Sequence, residues 1–348
     1  MKTQREQFTP GELAIVLSHY HLGVIESVKE FPRGSRTSAK LLIRAAGGRR
    51  YVLKRRAVGR DDPARVAFAH TLLDHLAQRG FPVPPLIRPH EQRDAVLRLA
   101  GRTYELFGYV EGHRYRGAPE ETDQAGRTLH DWHVAVQTFH TNWQPPTGSF
   151  HDSPAVRHGL DAVPATLARR HSASKPPPEL TDLAATLRRQ YDAAARQVNA
   201  CGYADWPQTI IHGDWHPGNM LFHHAKVAAV LDLDAVRRQP RATDVANGML
   251  QFSILRGPDA PADWPACFDE HRMRLFLDGY RSKGALPEAQ QAALLDLMIE
   301  SLIAEAVMPI AATGSFGQLP GLGVLQMAGR KAQWLRAARF QPGDRLVE

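Results

Sequence analysis

The hydrophobic period changes near residue 110, and that change limits the folds open to this chain. Residues 24–29, 39–44 and 50–55 carry strand-like apolar and β-branched runs, with Gly47-Gly48 as a hairpin turn between the last two. Residues 95–99 and 103–110 read as a further antiparallel pair turning at Gly101. Two helices interrupt this pattern. Residues 9–20 open with Thr9, Pro10 and Glu12, a capping box with proline at the first helical position. Residues 63–80 place Ala64, Ala67, Phe68, Leu72, Leu76 and Ala77 on one stripe; Gly80 ends that helix, and Pro82 and Pro84 prevent its continuation. Beyond Gly112 the period is helical, over 121–140, 179–199, 243–255, 268–283, 287–310 and 324–339. Polar loops are expected at 141–158 and 172–178, and a Gly-rich connection at 314–323. The fold class is therefore α+β: an antiparallel sheet with an embedded helix over residues 1–108, then a mainly helical domain over 109–348.

With 348 residues, each part can build its own core. The net charge of +7 is spread over short groups such as Arg49-Arg50, Lys54-Arg55-Arg56 and Arg237-Arg238. That pattern reads as a solvated basic surface, so no nucleic-acid partner is expected. Two cysteines, Cys201 and Cys267, are too few for a disulfide framework. No apolar run is long enough to span a bilayer, and the first residues lack a signal-peptide core. A cytoplasmic protein without a membrane partner is the expectation.

Chemistry concentrates in Ile210-Ile211-His212-Gly213-Asp214-Trp215-His216-Pro217-Gly218-Asn219, followed by Val230-Leu231-Asp232-Leu233-Asp234. His212, Asp214 and Asn219 fit the spacing H-x-D-x-x-x-x-N of a phosphoryl-transfer catalytic loop, and Asp232 follows a run of apolar β-formers. Asp214 is the candidate catalytic residue, able to orient an attacking hydroxyl and take its proton. Asn219 and Asp232 offer the hard oxygen ligands that Mg²⁺ prefers. Pro217-Gly218 suits the tight turn that returns Asn219 toward the metal.

These motifs resemble those of the aminoglycoside phosphotransferase and choline-kinase-like family, and the resemblance covers most of the chain. The form His212-Gly213-Asp214-x-His216-Pro217-Gly218-Asn219 is similar to that of homoserine-kinase-like members and of the stress-response protein kinase group. The resemblance implies a two-lobed protein-kinase-like fold, with ATP and Mg²⁺ as cofactors and a small-molecule hydroxyl as acceptor. It places Lys54 on the ATP phosphates, Gly34 and Ser35 in the turn over them, and Gly108, Val110 and Leu221 around the adenine. It makes His212 a brace of the catalytic loop. His216 would orient Asn219 or cap the turn, and Asp234 would support the metal or face solvent. The chain departs from the family at Arg36, where Asn is common, and on the helix over 63–80, which lacks the Glu that pairs with the lysine. Asp61, Asp62 and Asp74 do not fit that register, so Lys54 would pair with Asp232, with a residue elsewhere or with nucleotide alone.

Other readings stay open at this level. A protein Ser/Thr kinase shares the loop motif. A nucleotide-binding pseudokinase would explain the missing Glu. A metallohydrolase would use His212, Asp214 and His216, with His223 and His224 nearby, as ligands. Asp244, Asp278, Glu300 and Glu305 are candidate carboxylates for a cationic acceptor, and His133 is a core or loop-bracing residue.

Overall fold

A computed structural model describes residues 7–31, 38–90, 96–170 and 175–338. Gly34, Ser35 and Arg36 lie outside the described residues. In chain order the elements are α1 (Pro10–Ser18), β1 (Ile25–Glu30), β2 (Lys40–Ala45), β3 (Arg50–Arg55), α2 (Pro63–Gln78), β4 (Leu86–Ile87), β5 (Leu97–Leu99), β6 (Arg102–Gly108), α3 (Pro119–Ala135), α4 (Pro154–Arg170), α5 (Pro178–Ala200), β7 (Gln208–Ile211), β8 (Met220–His223), β9 (Lys226–Val230), β10 (Arg237–Pro240), α6 (Arg241–Ser253), α7 (Glu270–Arg281), α8 (Glu288–Ala292), α9 (Leu294–Thr313), β11 (Ser315–Phe316), β12 (Leu319–Pro320) and α10 (Gly321–Ala337). They gather into two compact units. The first takes Met1–Arg116, Val134–Pro146 and Gly218–Val236; the second takes Gly117–His133, Thr147–Pro217 and Arg237–Glu348.

In the first unit, β1, β2, β3, β6 and β4 pair in that order, antiparallel throughout, and β5 also pairs with β6. The inward faces of the strands and of α1 bury Val16, Tyr20, Leu22, Ile43, Leu53, Leu97, Tyr104 and Leu106 together. Burying each large apolar side chain contributes roughly 1.5–3 kcal/mol. Thr9 and Glu12 form the capping box expected of α1. Glu12 also ties α1 to β3 and β6, because its carboxylate takes hydrogen bonds from Arg55 at 2.6 Å and from the Tyr104 hydroxyl at 2.7 Å. β8 and β9 form a separate hairpin.

The second unit is built around α9, which buries Leu294, Leu297, Met298, Ile299, Leu302, Ile303, Val307 and Ile310 and packs against α4, α5, α6 and α10. Three boundaries differ from the sequence reading. The 141–158 loop gives way to α4 at Pro154, whose proline suits a first turn. The 287–310 segment is two helices that meet at Ala293. The Gly-rich connection holds the small hairpin β11–β12.

Helices α3 and α7 touch backbone to backbone. A Cβ at Gly126 would lie 2.0 Å from the Phe276 carbonyl oxygen, and one at Gly279 would lie 2.2 Å from the Asp123 carbonyl oxygen. Neither obstruction is a flexible side chain, so Gly126→Ala is expected to destabilise the protein by about 1–3 kcal/mol through forced separation of the helices. Urea unfolding checks this, and an unchanged midpoint would show that the helices part without cost.

Candidate active site

Asp214, His212 and His216 belong to the second unit, and Lys54, Gly108, Val110, Asn219, Leu221, Asp232 and Asp234 to the first.

Strand β7 delivers the catalytic loop, anchored on one side by β10. Loop backbone groups need hydrogen-bond partners when they leave a strand for the interior. Here side chains supply them for four consecutive residues. Asp244 accepts from the His212 N–H at 2.7 Å and the Gly213 N–H at 2.8 Å. The His212 ring nitrogen Nδ1 accepts from the Asp214 N–H at 3.3 Å, and Asn247 Oδ1 accepts from the Trp215 N–H at 2.9 Å. Gly213 adopts φ 74°, a left-handed turn that glycine enters without a Cβ penalty. The His212 ring is fully buried, edge-on to Trp132 and Trp215.

Asp244 is fully buried and is no acceptor-site carboxylate. Burial pushes its pKa up, but His133, His212 and the Gly213 N–H outweigh that and hold it below the ordinary value. His133 lies 3.5 Å from Asp244 and shares a 3.0 Å hydrogen bond with the Tyr280 hydroxyl, so it braces the loop at one remove. Glu300 is likewise committed, to the His151 ring at 2.8 Å and the Asp152 N–H at 2.9 Å. Glu305 differs. It accepts from the Asn247 and Gln251 amides at 2.8 and 2.6 Å, and burial followed by the charge of Asp214 raises its pKa to about 7. The His216 ring lies 3.4 Å from the Asp214 carboxylate, so it faces the candidate base rather than only capping a turn.

The first unit gathers a separate charged cluster. Lys54 on β3 places its ammonium 3.2 Å from Asp234, 3.8 Å from Asp232 and 3.9 Å from Glu105. Burial alone would lower its pKa; Glu105, Asp232 and Asp234 together hold it above the ordinary value. The lysine's hydrogen-bonded partner is therefore Asp234, with Asp232 and the strand residue Glu105 close behind. Glu105 is directly opposite Lys54 in the β3–β6 register and is almost fully buried. Arg56 grips both of its oxygens at 2.8 Å, and His70 of α2 meets it at 2.5 Å. Asp74 pairs instead with Arg88, and Asp62 caps α2. Asp234 is neither a solvated carboxylate nor a bare metal support, because Lys54 and Arg56 hold it, the latter at 2.9 Å.

The β8–β9 register sets Met220 opposite Val230, and Leu231 donates its N–H to the Asn219 carbonyl at 2.8 Å. Asn219 and Asp232 thus flank the open end of one hairpin. Asp232 has φ 62° and ψ 77°, a strained conformation for a residue with a Cβ. A carboxylate and a carboxamide brought together this way are hard oxygen donors suited to a divalent cation. Along the segment after β6, Gly108 donates to the Pro85 carbonyl at 2.7 Å. His113 and Phe222 exchange two backbone hydrogen bonds of 2.8 Å. That pairing brings Gly112 against Leu221, where a Cβ would approach to 3.0 Å.

Among the described residues no group of three His, Cys, Asp or Glu side chains could hold a metal ion, and His212 is buried among aromatic rings. The metallohydrolase reading has no ligand cluster to use. Among the described residues no helix is long and apolar enough to cross a membrane.

The sequence reading missed Glu105, Arg56 and His70, and gave Asp244 the wrong role. One signal was available: Asp244 and Asn247 are one helical turn apart, as His212 and Trp215 are three residues apart along the loop they hold.

Comparison with known proteins agrees with this geometry. The profile of the phosphotransferase enzyme family (APH) matches residues 27–296. A homoserine kinase of Methylocella silvestris is 29% identical over 230 residues, 65% of this chain and 64% of that one, so the chain spans just under two thirds of that relative's length. A homoserine kinase of Rhodopseudomonas palustris is 27% identical over 288 residues, covering 81% of this chain and 78% of its own. Among solved structures, a microcompartment-associated aminopropanol kinase superposes with a TM-score of 0.68 at 17% identity, over 93% of this chain and 96% of that one. At that identity the likeness is one of fold. The chain belongs to the APH phosphotransferase enzyme family and has an α+β, protein-kinase-like fold.

Proposed function

We propose that this protein transfers the γ-phosphate of Mg·ATP to the hydroxyl of a small-molecule acceptor. The observation that carries the reading is the Asp214 loop, whose backbone is fixed by side-chain hydrogen bonds from His212 to Trp215. Phosphoryl transfer asks the protein mainly for positioning and electrostatics. Asp214 would align the acceptor hydroxyl and take its proton as the new O–P bond forms and the bond to the ADP oxygen breaks. Lys54, held by Asp234 with Asp232 and Glu105 close by, would contact the nucleotide phosphates. Asn219 and Asp232 would hold Mg²⁺, which when bound offsets phosphate charge. Gly108, Val110 and Leu221 would border the adenine. The first unit thus carries the nucleotide half of the reaction and the second the acceptor half.

The similarity to homoserine kinases makes L-homoserine the first acceptor to test. The decisive experiment measures ADP release from Mg·ATP across amino alcohols, L-homoserine, sugars, aminoglycosides and a generic protein substrate. An acceptor-dependent signal supports the reading and identifies the class; transfer to the protein substrate alone would replace it with a protein kinase. A pseudokinase loses its main support, because Asp234, Asp232 and Glu105 together give Lys54 the carboxylate that α2 lacks.

Asp232→Ala is expected to abolish the Mg²⁺ dependence of nucleotide binding. Titration of AMP-PNP with and without Mg²⁺ checks this. Equal Mg²⁺ dependence in the variant and the parent protein would remove Asp232 from the metal site.

A further inference from the structure

In the second unit, Arg237 on β10 is one strand away from the root of the catalytic loop, paired across to Ile211. Its guanidinium lies 5.1 Å over the Phe150 ring and donates a long 3.5 Å hydrogen bond to the carbonyl of Gly213, the residue before Asp214. Its Nε is buried without a hydrogen-bond partner. Among the described residues, no carboxylate comes within 4.0 Å of it. Other arginines of the second unit are treated otherwise: Arg157 and Arg188 share Asp192, and Arg336 meets Asp296. Burial depresses the Arg237 pKa, and Asp244, Asp214 and Glu305 only partly compensate from longer range. A half-buried cation without a carboxylate in ion-pair reach is costly to a fold.

Two residues along the same face, Gln239 is 3% exposed, with its amide nitrogen fixed on the Gly148 carbonyl at 2.6 Å and its Oε1 buried and unpartnered. That fixed amide leaves Oε1 as an acceptor with nothing to accept from. An unmet donor and an unmet acceptor therefore share one strand face beside the loop that carries the candidate base.

We propose that this face of β10 is an acceptor subsite for a carboxylated amino alcohol, in which Arg237 anchors the carboxylate and Gln239 Oε1 receives the ammonium. This rests on the phosphotransferase reading above. It adds that the acceptor must be an amino acid, and it names the residue that enforces the choice. Arg suits this role because its fork matches a carboxylate's two oxygens.

The test compares L-homoserine with 3-aminopropan-1-ol, which differs only in lacking the carboxylate. The parent protein is expected to favour L-homoserine by about 100-fold in kcat/KM, and Arg237→Gln to bring that ratio to about 1. Arg237→Lys should restore part of the preference. A parent protein that does not discriminate overturns the proposal, as does an Arg237→Gln variant that loses both acceptors equally, since that reports only on the Gly213 contact. If no acceptor is phosphorylated at all, the phosphotransfer reading itself fails. Calorimetry of L-homoserine on the protein with Mg·AMP-PNP then decides the subsite: binding lost in Arg237→Gln supports it, and absent or unaltered binding overturns it.

Discussion

Asp214→Asn is expected to bind Mg·ATP almost as tightly as the parent protein and to transfer phosphate about 10²–10⁴-fold more slowly, the usual worth of a positioned general base. The substitution is nearly isosteric. The hydrogen bond that residue 214 donates from its backbone N–H to His212 is unchanged by the new side chain. What is lost is a carboxylate that can orient a hydroxyl and receive its proton. His216, at 3.4 Å, loses its charged neighbour but remains a ring of different shape and reach. ADP release with the best acceptor, set beside AMP-PNP titration of both proteins, separates the two effects. Undiminished turnover in the variant would remove Asp214 from the chemistry, and a parallel loss of nucleotide affinity would turn its role into a structural one.

Glu105→Gln is expected to lower stability by about 3–5 kcal/mol, the range for breaking a buried ion pair by removing one partner. Glu105 is 1% exposed, and it is gripped by Arg56 and His70 with Lys54 close by. Removing its charge leaves two cations facing each other across a space where Asp234 is the nearest remaining carboxylate. The same change frees Lys54 from its cross-strand neighbour, so the KM for ATP should rise together with the loss of stability. The pH dependence has a definite sign. Burial would raise the Glu105 pKa, but Arg56, Lys54 and His70 together hold it well below its ordinary value of 4.5. A depressed carboxyl pKa stabilises the fold above the unfolded value, and that contribution fades as pH falls below it. Thermal unfolding should therefore show a full gap between the two proteins at pH 7 that narrows as pH drops below 4.5. Equal melting temperatures at pH 7 would show that Glu105 holds nothing together.

Local features of this chain were readable from the sequence because they are decided by neighbours in the sequence. The capping box of α1, the strands β1 to β3 and the stop of α2 before Pro82 all depend on residues a few positions apart. The catalytic motif was readable for the same reason, its residues being packed into one short stretch. Glu105 was not readable. Nothing near it in the sequence marks it, and its meaning comes from β3 pairing with β6 in a register that sets it across from Lys54. Asp244 shows the complementary difficulty. As a helix carboxylate it offered the same signal as Asp278, and only complete burial against the His212 and Gly213 N–H groups distinguishes it. Asp234 was ambiguous because its two cations, Lys54 on β3 and Arg56 just after it, are remote in sequence.

The first unit is assembled from three separated stretches of chain, the last being Gly218–Val236. A ribosome delivers these in order, so the sheet that carries Lys54, Arg56 and Glu105 emerges long before Asp232 and Asp234 exist. During that interval two cations share one carboxylate, and the hairpin partner of the segment at His113 is still unsynthesised. The nascent sheet should be protease-sensitive until residue 236 has cleared the exit tunnel, then become resistant in one step. A fragment ending at Arg116 would reproduce the waiting state and not the finished one.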